Sequence, residues 1–360
     1  VRALAVLPDG RLASGGDDRT IKLWDPASGQ LQATLEGHSG YVLALAVLPG
    51  GRLASGGDDR TIKLWDPASG QLQATLEGHS DWVRALAVLP DGRLASGSSD
   101  HTIKLWDPAS GQLQATLEGH SGRVNALAVL PDGRLASGAD DRTIKLWDPA
   151  SGQLQATLEG HSGWVNALAV LPDGRLASGG DDRTIKLWDP ASGQLQATLE
   201  GHSGRVNALA VLPDGRLASG AGDRTIKLWD PASGQLQATL EGHSGRVNAL
   251  AVLPGGRLAS GGDDRTIKLW DPASGQLQAT LEGHSGYVLA LAVLPGGRLA
   301  SGSFDNTIKL WDPAIAEPES SQPQFAADAS ITSLALLPGG SILVAGDASG
   351  RLHWLRLPGP

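Results

Sequence analysis

Apolar residues in this chain come in short runs, cut by glycine, proline and aspartate, and never in long ones. The stretch 41–80 shows the pattern. Tyr41-Val-Leu-Ala-Leu-Ala-Val-Leu48 is an unbroken apolar run bounded by Pro49-Gly50-Gly51, as expected of a strand buried on both faces. Arg52-Leu-Ala-Ser-Gly56 predicts a second short strand, Gly57-Asp58-Asp59-Arg60 a tight turn, and Thr61-Ile-Lys-Leu-Trp65 a third strand. Asp66-Pro67-Ala-Ser-Gly70 is a turn by composition, because proline fixes φ and glycine is free to take φ > 0. Gln71-Leu-Gln-Ala-Thr-Leu76 alternates polar and apolar residues, which predicts an outer strand with Gln71 and Gln73 in water and the apolar positions inward. No stretch has the 3.6-residue period of a helix.

The same unit then recurs. Trp24, Trp65, Trp106, Trp147, Trp188, Trp229, Trp270 and Trp311 are each 41 residues apart, and Trp354 follows two residues late. A period of this length marks one supersecondary unit stacked many times. Four-stranded antiparallel units repeated around an axis form a β-propeller, which protects its sheet edges by radial repetition. The small inner strand, with Ala44 and Ala46, is expected to line the crowded centre.

The residues that recur resemble the WD-repeat family. Gly37-His38, Ser55, Asp59 and Trp65-Asp66 fall at that family's spacing, and the likeness covers nearly the whole chain. It implies a buried hydrogen-bond chain of His, Ser, Asp and Trp in each blade. The matching groups are His38, Ser55, Asp59 and Trp65; His79, Ser96, Asp100 and Trp106; His120, Ser137, Asp141 and Trp147; and His161, Ser178, Asp182 and Trp188. They continue as His202, Ser219, Asp223 and Trp229; His243, Ser260, Asp264 and Trp270; and His284, Ser301, Asp305 and Trp311. A Ser-His-Asp trio also invites a hydrolase reading. A hydrolase needs one activated nucleophile beside an oxyanion hole, whereas this trio recurs in seven units. No catalytic residue is therefore assigned. The histidines occur once per unit without a second close ligand, so no metal and no cofactor is expected.

The expected fold is all-β: one domain over 1–360, a nine-bladed propeller of four-stranded antiparallel sheets with the last blade incomplete. Its blades lie near 1–36, 41–77, 82–118, 123–159, 164–200, 205–241, 246–282, 287–325 and 331–357. The eighth unit loses its text after Pro313, and Phe325 lies in that irregular stretch. The ninth keeps the apolar pattern but has Val344 and Ala348 where the others have serine and aspartate, as a closing blade would. A single ring is the expected state. Identical neighbours also leave strand-swapped oligomers open.

Composition narrows the function. The net charge is -9 and the pI about 5.4, which argues against a nucleic-acid or anionic-membrane partner. There is no cysteine, so disulfides and thiolate metal sites are excluded, and a cytoplasmic location fits. No apolar run is long enough for a transmembrane helix. The chain has no methionine and Val1 falls inside a repeat, as in a segment of a longer protein.

Where near-identical copies disagree is where function is sought. One varying position is the Asp/Gly of the LPxG turn, and the other six lie just after GHS and in the turn before x-Thr. In the second copy they are Gly40, Tyr41, Leu43, Gly57, Asp58 and Arg60; in the third they are Asp81, Trp82, Arg84, Ser98, Ser99 and His101. Both turns sit at the same end of a blade, so these positions are expected to ring one face around the channel mouth. The candidate partner-binding residues are Arg2, Tyr41, Leu43, Asp58, Arg60, Trp82, Arg84, Ser99, His101, Arg123, Asn125, Trp164, Asn166, Arg205, Asn207, Arg246, Asn248, Tyr287, Leu289, Phe304 and Asn306. Trp, Tyr and Arg are enriched at binding hot spots, and a mixed rim with scattered aromatics suits a protein or peptide ligand. The arginines also sit among carboxylates (Asp58, Asp140, Asp181, Asp263) that would pair with them in a plain solvated rim.

Near-identical copies with a degenerate end, GDASGRLHWLRL, also resemble the C-terminal propellers of bacterial STAND-type signalling proteins. That resemblance implies a ligand-sensing module. No Walker A sequence occurs here, so any ATPase would lie elsewhere in the parent protein. The alternatives are a passive scaffold with a multivalent rim, a ligand site in the central channel, or an engineered repeat. The channel's Val, Leu and Ala and the irregular 315–330 stretch argue against the last two.

Overall fold

A computed structural model describes residues 1–313 apart from residue 29, together with the backbone of Ile331–Leu336, Ile342–Asp347 and Leu352–Arg356. Each unit is an antiparallel meander. In the first blade the strands are Ala3–Val6, Leu12–Gly15, Ile21–Trp24 and Leu31–Leu35, from the inner edge outward. Seven such four-stranded sheets run to Leu281, and the eighth has three described strands: Val288–Val293, Leu299–Ser303 and Ile308–Trp311. The inner strands stand side by side around a central channel.

One blade cannot bury its own faces, so the core lies between blades. In a typical joint Leu89, Ile103, Leu105 and Leu117 of one blade close over Val124, Leu135 and Trp147 of the next. Each such side chain gains roughly 1.5–3 kcal/mol on burial. The blades approach closely because the second strand carries glycine. A Cβ on Gly97 would stand 2.7 Å from Val124 Cγ1 of the next blade, a distance side chains do not tolerate. The opposite end of the joint is tied by an identical arginine: Arg93 donates to the Pro149 carbonyl at 2.9 Å. Arg11, Arg52, Arg134, Arg175, Arg216 and Arg257 do the same to prolines one blade on.

The expected nine-bladed ring is corrected by the last joint. Val1 of the first blade packs with Leu294, Ala300 and Ile308 of the eighth. A Cβ on Gly302 would meet Val1 Cγ1 at 3.0 Å, and the Val1 amine donates to Ser303 O as Val42 N does to Gly16 O. This is the ordinary blade-to-blade joint, so the ring closes at eight. The ninth copy forms a separate three-stranded sheet instead of an inserted blade, its first strand lying beside the second and third strands of the eighth blade. Phe325, Val344 and Ala348 fall outside the residues whose side chains are described.

The outer strand also differs from expectation. Leu76 is buried, but Leu72 is 42% exposed. A register shift between Leu64 and Trp65 pairs Trp65 with Leu72 and breaks the simple alternation. At the centre, Ala44 and Leu45 line the channel, while Ala46 packs into a joint.

Candidate functional site

The two variable turns meet because one backbone bond joins them in blades two to eight. Asp58 N donates to Tyr41 O at 2.9 Å, and Ser99 N to Trp82 O, Asp140 N to Arg123 O, Asp181 N to Trp164 O, Gly222 N to Arg205 O, Asp263 N to Arg246 O and Phe304 N to Tyr287 O follow suit. The turn closes on a residue with φ > 0 in all eight blades: Arg19, Arg60, His101, Arg142, Arg183, Arg224, Arg265 and Asn306. Asn306 and His101 are residue types enriched in this region, so the six arginines hold the local strain.

Side chains on these turns pair across the gap. Arg2 grips Asp17 with two bonds, at 2.8 and 3.1 Å. Arg123 and Asn125 both donate to Asp140, at 2.7 Å. Asn166 donates to Asp181 and Asn248 to Asp263. The asparagines do more: Asn125, Asn166, Asn207 and Asn248 each donate to a valine carbonyl of the following blade (Val165, Val206, Val247, Val288). They are clamps between blades. Three blades have incomplete pairs; in blade six Gly222 replaces the carboxylate, so Asn207 donates to the Val247 carbonyl alone. Leu43 leaves Asp58 without the usual donor; burial and then the neighbouring Asp59 and Asp17 push its carboxyl up, against the Tyr41 N–H. Ser99 replaces the carboxylate opposite Arg84, which donates to the serine hydroxyl. Ser99 is itself buried, so it supports Arg84 from below and is not a contact residue of the face.

Tyr41, Trp82, Trp164, Tyr287 and Phe304 are all well exposed, from 42% to 56%. Tyr287 and Phe304 stack with centroids 5.9 Å apart. Arg84 lies over the Trp82 ring at 5.4 Å, and Arg123 over that of Trp164 at 5.5 Å, reaching from one blade to the next. Arg60, His101, Arg205 and Arg246 are exposed, and Leu43, Leu289 and Asn306 half-buried.

Beneath this face lie the seven His-Ser-Asp-Trp groups. The Trp Nε1, His Nε2 and Ser Oγ atoms meet at 2.7–2.8 Å in every case, and His Nδ1 meets the aspartate at 2.7–2.8 Å. A carboxylate only accepts, so Nδ1 carries the proton and Nε2 of the neutral ring accepts from the serine. Burial pushes Asp59, Asp100, Asp141, Asp182 and Asp264 up. The histidine bond and charge, the threonine and the backbone N–H groups more than reverse this, holding them well below the usual carboxylate range. Asp223 and Asp305 are shifted the same way, and burial lowers His202 and His284.

The serines sit deepest in these groups. Ser55, Ser96, Ser137, Ser178, Ser219, Ser260 and Ser301 are all fully buried, and none can be reached by a ligand. The oxygen of each is already engaged: Ser137 with Trp147 and His120, Ser219 with Trp229 and His202, Ser260 with Trp270 and His243, and Ser301 with Trp311 and His284. The trio therefore presents no open nucleophile, and these residues hold the blade instead of forming a site. In the first blade Ser14 accepts from Trp24 at 2.9 Å, and Lys22 reaches Asp18 at 2.6 Å. Among the described residues no group of three or more His, Asp or Glu could hold a metal ion, and no helix is long and apolar enough to cross a membrane.

The channel is an open cavity of about 480 Å³. It is lined by the alanine-leucine pair of each blade, from Ala3-Leu4 to Ala290-Leu291, with Arg2 as the charged group.

The WD domain, G-beta repeat family matches residues 1–25, 29–66, 70–107, 111–148, 152–189, 193–230, 234–271 and 275–312. The chain belongs to the WD-repeat family. After the first, each of the eight matched repeats runs from the outer strand of one blade through three strands of the next, and the count of eight again overturns nine. Among solved structures, the WD propeller is similar to the crystal structure of the computationally designed Ika8 protein. The two share 39% identity with a TM-score of 0.78, over 86% of this chain and 95% of that one. No curated protein matches the chain.

Sequence reasoning put the clamp asparagines of the WD propeller among the contact residues because it could not see the neighbouring blade. It also missed the tying arginines, which are identical in every copy and so gave no signal. The 41-residue period held the clue: a polar residue on an inner strand faces the next copy, not only solvent.

Proposed function

We propose that this propeller is a non-enzymatic recognition module that holds a protein or peptide partner on the variable face at the channel mouth. One observation carries the reading. Five exposed aromatic side chains occupy the varying turns, whereas the outer sequence QLQATL is equally open to drift and repeats unchanged through residue 281. The WD-repeat family supports protein interaction as the general role. The degenerate end and near-identical copies support a place in a bacterial STAND-type signalling or defence protein, as a cytoplasmic, monomeric sensor without nucleic-acid or membrane partners. A passive scaffold would use the same face.

One observation favours a second reading. The similar Ika8 protein is computationally designed, and an engineered ring would show the same near-identity between copies. The two readings differ in outcome. Affinity capture from source-organism lysate is run with the propeller, with a variant carrying alanine at Tyr41, Trp82, Trp164, Tyr287 and Phe304, and with a Gln71→Ala control. A protein retained by the first and third baits and lost by the second supports recognition. Identical profiles from all three defeat it.

A further inference from the structure

The eight blades serve as controls for one another, and blade three stands out by a half-buried arginine that no carboxylate bonds. Arg2 and Arg84 occupy the same place in the repeat. Arg2 has its own carboxylate, Asp17, held by two bonds. Arg84 faces Ser99 instead, so its Nε is satisfied by a hydroxyl and its two terminal nitrogens donate to no protein group among the described residues. The nearest carboxylates are occupied: Asp140 accepts from Arg123 and Asn125, and Asp81 from the Trp82 N–H. Arg84 is half-buried, and Arg123 stands close enough to repel it. Trp82 lies under Arg84 and Trp164 under Arg123. The result is a strip across blades three to five in which Trp82, Arg84, Arg123 and Trp164 follow one another, with Arg84 bonded to no carboxylate.

Asp140 and Asp81 favour the Arg84 charge from nearby, but neither bonds to it. A half-buried guanidinium with its terminal nitrogens unbonded is a carboxylate site, because charge-assisted bidentate bonds are the strongest available to it. The flanking indoles supply apolar contact at either side. Asp81 and Asp140 and the net charge of -9 disfavour a polyanion, whose neighbouring charges they would repel. Building on the proposed recognition role, we propose that Arg84 receives a single Asp or Glu side chain of a partner peptide whose apolar neighbours lie on Trp82 and Trp164. The partner supplies the carboxylate that Asp17 supplies within blade one.

The repeat also provides substitutions with precedent. Leu43 and Leu289 already stand at the Arg84 position, so Arg84→Leu is compatible with the fold. Asp81→Gly with Ser99→Asp rebuilds the pairing of other blades. The glycine is needed because a Cβ at the equivalent Gly40 would collide with the Asp58 carboxylate. A random twelve-residue peptide library is displayed on phage and selected against the intact chain, with circular dichroism of every variant. The expected result is enrichment of peptides with one acidic residue beside apolar ones. These should bind at least about tenfold more weakly to Arg84→Leu and to the Asp81→Gly/Ser99→Asp double variant, and undiminished to the outer-strand variant Gln71→Ala. Enriched peptides without a carboxylate, or acidic ones that bind Arg84→Leu equally well, overturn the proposal and leave the recognition reading standing. Tighter binding when phosphoserine replaces the acidic residue assigns the strip to phosphate and also overturns it. No enrichment over untreated phage defeats the recognition reading and this proposal together.

Discussion

Ser178→Ala tests whether the buried His-Ser-Asp-Trp group holds a blade together. The hydroxyl accepts from Trp188 Nε1 at 2.8 Å, meets His161 Nε2 at 2.7 Å and lies 3.4 Å from Lys186 O. Ser178 and Trp188 are essentially fully buried. Alanine keeps the backbone and removes only the oxygen. The indole N–H then has no acceptor, and the imidazole loses its donor. A buried polar group left unsatisfied costs about 1–3 kcal/mol. Two such groups make a loss of roughly 2–5 kcal/mol, with the upper part reduced if the imidazole nitrogen finds water. Urea unfolding followed by tryptophan fluorescence gives the number. With m at or above about 3 kcal/mol/M for a chain this large, the midpoint should fall by up to roughly 1.7 M at unchanged m. Ser96→Ala lies two blades away with no shared partner, so the double variant should show nearly additive losses. A fall below about 0.5 kcal/mol in both single variants would mean the hydroxyl is not what satisfies these groups.

Gly138→Ala places a Cβ 2.5 Å from Val165 Cγ1 of the next blade. It should cost at least about 1–3 kcal/mol by overpacking, with partial recovery in Gly138→Ala/Val165→Ala; an unchanged urea midpoint would remove close approach as the reason for glycine. Arg142 is held at φ 69°. Arg142→Asn, copying Asn306, should gain several tenths of a kcal/mol up to about 1 kcal/mol, and a loss in the same assay would contradict the strain argument. Acid should weaken the ring in two stages. Burial lowers His202 and His284, so their contribution is complete above the unfolded histidine value of about 6.5 and declines as pH falls below it. The depressed aspartates contribute fully above about 4, and that contribution is lost as pH falls through their folded values. Urea midpoints measured from pH 8 to 3 should never rise on acidification; a higher midpoint at pH 5 than at pH 7.5 would reverse the sign of the histidine argument.

The strands, turns and buried tryptophans were legible because each follows from residues inside one unit. Ring size was not, because it is set between units. Val1 against Gly302 repeats the contact of Val42 against Gly15, and nothing in identical text says after how many copies that contact meets the first blade again. Leu72 was misread for a related reason: alternation assumes a regular ladder, and the shift opposite Trp65 is a geometric event with no residue of its own. The candidate site was half legible. Variation pointed to two turns that the backbone joins, but it mixed two kinds of position. Asn125, Asn166, Asn207 and Asn248 each hold the following blade by a valine carbonyl. Tyr41, Trp82 and Trp164 touch solvent and have no such duty. Coupling separates the two kinds. Where the second turn carries aspartate, the first usually carries Arg or Asn to meet it, and such pairs are internally satisfied. The exceptions are Asp58 opposite Leu43, Arg84 opposite Ser99, and blade six, where Gly222 leaves the exposed Arg205 without an aspartate opposite. A drifting rim would lose partners at random and leave the orphaned groups fully in water. Arg205 is such a group, but Arg84 is half-buried against the Trp82 indole, where terminal nitrogens without a bonded carboxylate are most costly to the free protein and most rewarding to a ligand that brings one.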